Sequence, residues 1–391
     1  MITRRKIRVA QVITRMDWGG SADLVRILCE HLDKTRYEVT LVCGANKNLT
    51  KKTRQFLENF KPNIITVNSL QRDINPLRDL WAFFKLLFVF KKEKFDIVHT
   101  HTAKAGMLGR MAACFSGVKT IVHTAHGHNF YGYFGRVLSG LIVFLERVAA
   151  RVTNKIIALT QLEKSDFIAF NVAPQDKIDV IDTVAEDIAA GSISTEECRV
   201  RKKRFGVNPE HILVGFVGRL EPIKGVEYFI ESGKGISRKF ENVKFIVVGE
   251  GSLKNKLQKQ TEVDNLRNRF IFTGWSEDVA EIMDALDILV LPSLNEAVGI
   301  VLLEAQAKGV AVIATRVGGI PEVVKENETA ILVPPQNVAA ITQALEELIK
   351  DKDKRQKMQQ AGQEFVLNRY SVSKFIKNIS GIYEKLGESK Q

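Results

Sequence analysis

Cysteine is scarce in this chain of 391 residues: only Cys29, Cys43, Cys114 and Cys198 occur, and no two stand at CxxC spacing. That argues against a disulfide framework or a zinc ribbon and points to structural thiols in a reduced, cytosolic compartment. Long apolar runs are missing too. The longest, Leu80 to Phe90, is interrupted by Lys85 and is too short to span a bilayer. The N-terminal RRKIRVAQVITRM carries charge but no uninterrupted apolar stretch or small-residue cleavage site, so no secretory signal is expected. There is no internal repeat, no low-complexity segment, no HExxH and no GxGxxG fingerprint. The last two absences disfavour a zinc hydrolase and a dinucleotide site. No helix-turn-helix, RRM or zinc pattern marks a nucleic-acid module, so no nucleic-acid partner is expected.

What is present is charge, unevenly placed, and a repeating alternation of strand and helix patterns. The net charge is +12; residues 1–190 hold 28 Lys/Arg against 18 Asp/Glu, whereas residues 191–391 hold 29 against 27. A basic N-terminal half suits an anionic partner, whether membrane lipid or a pyrophosphate-bearing substrate, although solubilising charge gives the same count. Short apolar runs at 7–14, 38–43, 64–67, 95–101, 119–124, 155–160 and 178–181 read as strands, and the pattern restarts at 211–217, 243–249, 269–273, 287–292, 310–315 and 330–333. Strands separated by helical patterns indicate parallel sheets built from βαβ units. The chain is long enough for two cores. The expected boundaries are 1–190 for one Rossmann-like domain and 205–370 for a second, with the charged stretch 185–204 connecting them. Residues 338–368 read as helical and charged, and the apolar spacing in 371–386 makes a last helix.

The densest chemistry lies in 293–322, SLNEAVGIVLLEAQAKGVAVIATRVGGIPE, where Glu296 and Glu304 stand eight apart across a strand-to-helix transition. The strand 287–292 ends at Pro292, and a helix is expected from near Gly299 to a stop at Gly309. Glu296 then precedes the helix N-terminus and Glu304 lies about one turn inside, at the C-terminal sheet edge where open α/β sheets bind ligands. Free backbone N–H groups there favour phosphate oxygen, and paired carboxylates accept sugar hydroxyl protons. Upstream, Arg219 and Lys224 leave the end of strand 211–217 in Gly218-Arg219-Leu220-Glu221-Pro222-Ile223-Lys224-Gly225. Their cationic heads can converge on a diphosphate, Arg as a bidentate fork and Lys as a point charge.

Other turns offer weaker signals. Gly19-Gly20 follows the first strand and allows close backbone approach, as any tight turn does. Gly249-Glu250-Gly251 and Gly274-Trp275-Ser276 end two more strands. Five of the seven histidines, His99, His101, His123, His126 and His128, fall at strand ends without the acidic or thiol partners of a metal site. Hydrogen-bonded core histidines account for most of them. Asp351-Lys352-Asp353 lies in a Lys-rich helical region far from any strand end, so it is not read as a metal ligand.

A Glu, seven residues, a second Glu and then Gly318-Gly319-Ile320-Pro321-Glu322 closely resembles the signature of the retaining family-4 glycosyltransferases. Gly-Arg-x-x-x-x-Lys-Gly at 218–225 resembles that family's phosphate loop, and THTAKAGMLGR with HTAHGHNFYG resembles its members that build bacterial surface polysaccharide. The resemblance implies the GT-B fold: two Rossmann-like domains facing each other across a cleft, with the C-terminal helix, here 371–391, crossing back onto the first. It implies transfer of a hexose or N-acetylhexosamine from a nucleotide sugar, UDP-linked by expectation, to a polyprenyl-diphosphate glycan, with no cofactor and no metal. Glu304 would hold the ribose hydroxyls and Glu296 the donor sugar. Arg219, Lys224 and the helix start at Val298, Gly299, Ile300 and Val301 would carry the leaving diphosphate. Gly19 and Gly20 would face the donor phosphates and the acceptor, Gly218, Gly249 and Trp275 would line the nucleotide site, and His126 would face the donor sugar, polarising a hydroxyl or the reacting centre. Lys104 and His128 would meet the acceptor. Same-face attack, with the donor phosphate taking the proton, is likewise implied by the family alone.

Two departures stand out: Val298 occupies a position often aromatic in the family, and Ile181-Asp182-Thr183-Val184 replaces a frequent Asn-Gly-x-Asp turn. An epimerase or phosphorylase of the same fold is the alternative reading. Segments 77–94 and 130–151, basic and aromatic, suit peripheral attachment to an anionic membrane surface on the cytoplasmic side, with Phe130, Tyr131, Tyr133 and Phe134 as contacts. The first of these segments also has the pattern of a helix packed on a sheet.

Overall fold

The computed structural model describes residues 5–17, 19–46, 49–127, 130, 135–184, 195–276 and 278–388. Two compact units divide the chain: Met1–Glu186 with Val372–Gln391, and Asp187–Ser371. In the first unit lie β1 (Ile7–Ile13), β2 (Tyr37–Cys43), β3 (Ile64–Thr66), β4 (Ile97–His101), β5 (Thr120–Thr124), β6 (Lys155–Ala158) and β7 (Ile178–Val180). They form one sheet in the order β3-β2-β1-β4-β5-β6-β7, every pairing parallel. The helices between them are α1 (Gly20–His31), α2 (Lys51–Phe60), α3 (Pro76–Glu93), α4 (Ala103–Ser116), α5 (Arg136–Arg151) and α6 (Gln161–Ala169).

The second unit repeats the plan with β8 (Ile212–Val217), β9 (Val243–Val248), β10 (Phe270–Gly274), β11 (Ile288–Leu291), β12 (Ala311–Thr315) and β13 (Ala330–Val333). Its order is β10-β9-β8-β11-β12-β13, again all parallel. Around it run α7 (Thr195–Arg204), α8 (Val226–Ser237), α9 (Lys254–Val263), α10 (Val279–Met283), α11 (Ile300–Ala307), α12 (Val338–Lys350) and α13 (Lys352–Arg369). The last helix, α14 (Val372–Glu388), belongs to the first unit.

These strands form because their runs are apolar on both faces, as a sheet covered by helices on each side requires. All six residues of β8 are buried. Phe216, Phe229, Phe245 and Phe270 pack in the second core, with the Phe245 and Phe270 rings stacked at 4.8 Å. Each such ring contributes roughly 2–3 kcal/mol of burial. Both sheets reverse their winding beside the first strand of the unit: β1 lies between β2 and β4, and β8 between β9 and β11. The C-terminal ends at those two points are where this architecture leaves a crevice.

Three local outcomes differ from the sequence reading. The stretch 338–368 is interrupted, because Asp351 ends α12 and its Oδ1 accepts the Lys354 N–H at 2.8 Å to start α13. The aspartate pair there begins as a helix cap. Phe130, expected at a membrane, is 3 % exposed in the core, with its ring 5.2 Å from Phe167 and 5.4 Å from Phe170; Tyr131, Tyr133 and Phe134 lie outside the described residues. The ambiguous helix α3 packs against the core on one side and is exposed and apolar on the other. Ala82, Leu86 and Phe90 face the core, while Leu77, Trp81, Phe84 and Phe88, on the opposite side, are exposed.

In the charged stretch, 195–204 is helix α7, tied to the second unit by Lys202 to Asp287 at 2.7 Å and Arg201 to Glu281 at 3.2 Å. All four cysteines are free, and burial pushes the Cys43 thiol up to about 11. Among the described residues, no helix is long and apolar enough to cross a membrane.

Candidate active site

At the C-terminal edge of the second sheet, the loops after β8, β9, β10, β11 and β12 are joined backbone to backbone. The Gly218 N–H donates to the Val248 carbonyl at 3.0 Å, the Gly249 N–H to the Gly274 carbonyl at 2.8 Å, and the Leu294 N–H to the Ile223 carbonyl at 2.8 Å. Glycine is required where these strands of loop cross. A Cβ on Gly249, whose φ is 137°, would lie 1.9 Å from the Gly218 oxygen. One on Gly225, at φ 64°, would lie 2.0 Å from the Pro292 oxygen. No other residue fits either place without moving backbone.

This framework carries the charged groups. Lys224 forms an ion pair with Glu296 Oε2, and the Ser293 hydroxyl donates to the same oxygen at 3.2 Å. Both side chains of the pair are mostly buried, which strengthens their attraction relative to a surface pair. The backbone of Glu296 is clamped from the other side, where the Gly319 N–H donates to its carbonyl at 3.0 Å. A Cβ on Gly318 would sit 1.8 Å from that oxygen. The Gly-Gly turn thus fixes the carbonyl of Glu296, which the sequence motif alone does not reveal.

Arg219, on the neighbouring loop and half-buried, has a carbonyl that accepts the Glu221 N–H at 2.9 Å, while its guanidinium makes no hydrogen bond or ion pair among the described residues and only helps, at longer range, to lower the Glu221 carboxyl. Gly299, at φ 76°, starts α11 with no side-chain cap, so the first-turn N–H groups at Ile300 and Val301 lack a capping acceptor. Glu304 lies one turn into this helix and is partly buried. The Val298 side chain is 4 % exposed and packs inward, so any contact of this residue with a ligand is made by its backbone. Trp275 is exposed just beyond β10. A cation, an uncapped helix start and two carboxylates at one sheet edge can bind a diphosphate together with hydroxyls.

In the first unit, Gly19, at φ 138° and with open space where a Cβ would be, precedes Gly20 at the start of α1. The Thr14 and Thr102 hydroxyls bridge the ends of β1 and β4 at 3.0 Å. Lys104, at the start of α4, is held by Asp79 at 2.7 Å and by the Asp73 carbonyl. Four of the five clustered histidines are described, and all four are hydrogen-bonded. Burial lowers His99 and His126 to about 3 and His101 and His123 well below the ordinary imidazole range, so all four are neutral near pH 7. His128 lies outside the described residues. Among the described residues, no three His, Cys, Asp or Glu side chains are grouped to hold a metal ion.

Comparison with known proteins identifies the family and the fold. Residues 18–184 match the model described as Glycosyltransferase Family 4, and residues 199–365 match Glycosyl transferases group 1. An Escherichia coli relative, the UDP-Gal:alpha-D-GlcNAc-diphosphoundecaprenol alpha-1,3-galactosyltransferase, is 29% identical over 97% of each chain. The Staphylococcus aureus capsular polysaccharide biosynthesis glycosyltransferase CapM is 27% identical over 93% of this chain and 94% of its own. The Anabaena protein HepE, solved in complex with UDP and glucose, superposes with a TM-score of 0.82 at 20% identity over 97% of this chain and all of its own. The chain belongs to the GT-B glycosyltransferases, with a family 4 domain in its N-terminal half and a group 1 domain in its C-terminal half.

Proposed function

We propose that this glycosyltransferase takes a sugar from a UDP-sugar, with retention of anomeric configuration, and places it on a polyprenyl-diphosphate-linked glycan used in cell-surface polysaccharide. The observation that carries this reading is the Lys224–Glu296 ion pair beside the uncapped start of α11 and the Arg219 guanidinium, which has no hydrogen bond or ion pair among the described residues. The names of the Escherichia coli relative, with its UDP-Gal donor and diphosphoundecaprenol acceptor, and of HepE, bound to UDP and glucose, support the donor and acceptor classes. In this reading Glu304 binds the ribose hydroxyls and Glu296 the donor sugar hydroxyls. Arg219, Lys224 and the N–H groups of α11 balance charge as it grows on the departing diphosphate; preorganised electrostatics of this kind is usually the largest catalytic term. Gly19 and Gly20 admit the phosphates, and His126 contacts the donor sugar. Lys104 would exchange its Asp79 partner for the acceptor phosphate, beside His128. Incubation with a panel of UDP-sugars and a lipid-linked acceptor, with UDP release as the readout, tests the assignment. Release that requires the lipid acceptor supports it; conversion of a UDP-sugar at full rate without acceptor contradicts it.

No metal is assigned a step, since Arg219, Lys224 and the helix start already supply positive potential at the diphosphate. Turnover is therefore expected to be unchanged in excess EDTA, measured by the same UDP release. Loss of activity that manganese or magnesium restores would contradict this assignment.

The first unit is assigned to the cytoplasmic membrane surface as a peripheral protein. The outer stripe of α3, with Trp81 59 %, Phe84 51 % and Phe88 65 % exposed, lies among Lys85, Lys91 and Lys92. Packed beside it, α4 exposes Phe115, and α5 next to α4 exposes Val137, Leu141 and Phe144. Apolar insertion combined with attraction to anionic headgroups explains both features. Replacing Trp81, Phe84 and Phe88 by serine is expected to weaken binding to anionic vesicles by about tenfold or more, with the melting temperature retained. Undiminished sedimentation with vesicles would remove α3 from the contact surface.

A further inference from the structure

A chain of hydrogen bonds crosses the interior of the first unit from α14 to the loop after β5. Gln11 Nε2 donates to the Tyr383 hydroxyl at 3.0 Å, and that hydroxyl lies 2.7 Å from His99 Nδ1. His99 Nε2 lies 2.8 Å from the Thr124 hydroxyl. On the other side of the amide, Gln11 Oε1 lies 2.8 Å from His101 Nε2, and His101 Nδ1 lies 3.0 Å from His126 Nε2. Gln11, His99, His101 and Tyr383 have no exposed surface. The His126 backbone is held separately: its φ is 57°, and the next N–H, of Gly127, donates to Glu163 Oε1 at 2.8 Å.

Counting protons gives the chain a direction. An amide oxygen only accepts, so the proton between His101 and Gln11 sits on His101 Nε2. A neutral imidazole has one N–H, so His101 Nδ1 is an acceptor and the proton it receives belongs to His126 Nε2. His126, also neutral, is then left with a bare lone pair on Nδ1, an atom that makes no hydrogen bond among the described residues. At the other end, the Gln11 NH2 group occupies the Tyr383 oxygen, so the phenol proton points to His99 Nδ1 and the His99 Nε2–H to Thr124. Turning the Gln11 amide over would move the proton on each of the three rings to its other nitrogen. The observed sense places all three in the Nε2–H form, which a free neutral histidine side chain prefers, so three small preferences act together.

We propose that Tyr383, acting through Gln11 and His101, is a positioning residue that holds His126 as the Nε2–H tautomer, with its Nδ1 presented as a hydrogen-bond acceptor for a substrate hydroxyl. The substrate contact rests on the placement of His126 at the donor sugar; the tautomer does not. On this account His126 polarises a hydroxyl by accepting its proton in a hydrogen bond, and the C-terminal helix must be docked for it to do so.

Nitrogen NMR of the full chain labelled at histidine tests this, with His126→Ala assigning the resonance. In the natural protein, His126 should show a protonated Nε2 and an unprotonated Nδ1. Tyr383→Phe and Gln11→Leu should each give His126 a detectable Nδ1–H population and lower kcat about tenfold, with the donor KM little changed. Gln11→Glu keeps an acceptor for His101 Nε2–H but takes the Tyr383 proton, so His126 should stay as it is while His99 moves to Nδ1–H. A His126 that carries its proton on Nδ1 in the natural protein overturns the proposal, and this holds even where the variants fail to fold. So does a His126 tautomer unmoved by both Tyr383→Phe and Gln11→Leu. If the tautomers behave as stated but His126→Ala leaves transfer unaffected, the relay stands and the placement of His126 at the donor sugar fails.

Discussion

Arg219→Ala is expected to lower kcat by about a hundredfold while leaving the melting temperature close to that of the natural protein. The asymmetry follows from its surroundings. The guanidinium has no hydrogen-bond or ion-pair partner among the described residues, so its removal orphans no buried acceptor in the free enzyme. In the proposed function its charge acts on the negative charge that develops on the departing diphosphate. Lys224→Ala should cost a similar factor in kcat but also some stability, because Glu296 then loses the cation beside its mostly buried carboxylate. Steady-state kinetics with thermal melts separates these outcomes. If Arg219→Ala melts far below the natural protein with kcat intact, the residue is structural.

Glu304→Ala is expected to weaken UDP binding by about 2 kcal/mol, or roughly thirtyfold in Kd, as befits the loss of a charged acceptor for two ribose hydroxyls. Titration calorimetry with UDP reads the change directly. An unchanged Kd would remove Glu304 from the ribose contact.

Much of the scaffold behind these predictions is legible in the residues. Every one of the thirteen apolar runs read as strands is a strand, with ends shifted by no more than two residues. Buried parallel strands advertise themselves because neither face tolerates polar side chains. The limits of α11 were likewise marked by Gly299 and Gly309, the first in the left-handed region before the helix and the second just after it. What stayed hidden depends on contacts between distant segments. Nothing near Tyr383 announces that its hydroxyl meets His99, 284 residues away. Gly318 reads as one half of a turn until the Glu296 carbonyl is seen against it. Phe130 stands among tyrosines and glycines that look superficial, yet the Phe167 and Phe170 rings enclose it. The double-sided α3 defeats a one-stripe reading, since an apolar pattern counts residues without saying which side is covered.

The central claim, that a sugar is moved with retention from a UDP-sugar to a lipid-linked glycan, is tested most directly by the anomeric configuration of the product. Purified enzyme, an α-linked UDP-sugar and a polyprenyl-diphosphate glycan are combined, and the new linkage is read by proton NMR. An α-linked product that forms only with the lipid acceptor is the expected result. A β-linked product, or an epimerised sugar nucleotide formed without acceptor, would contradict it.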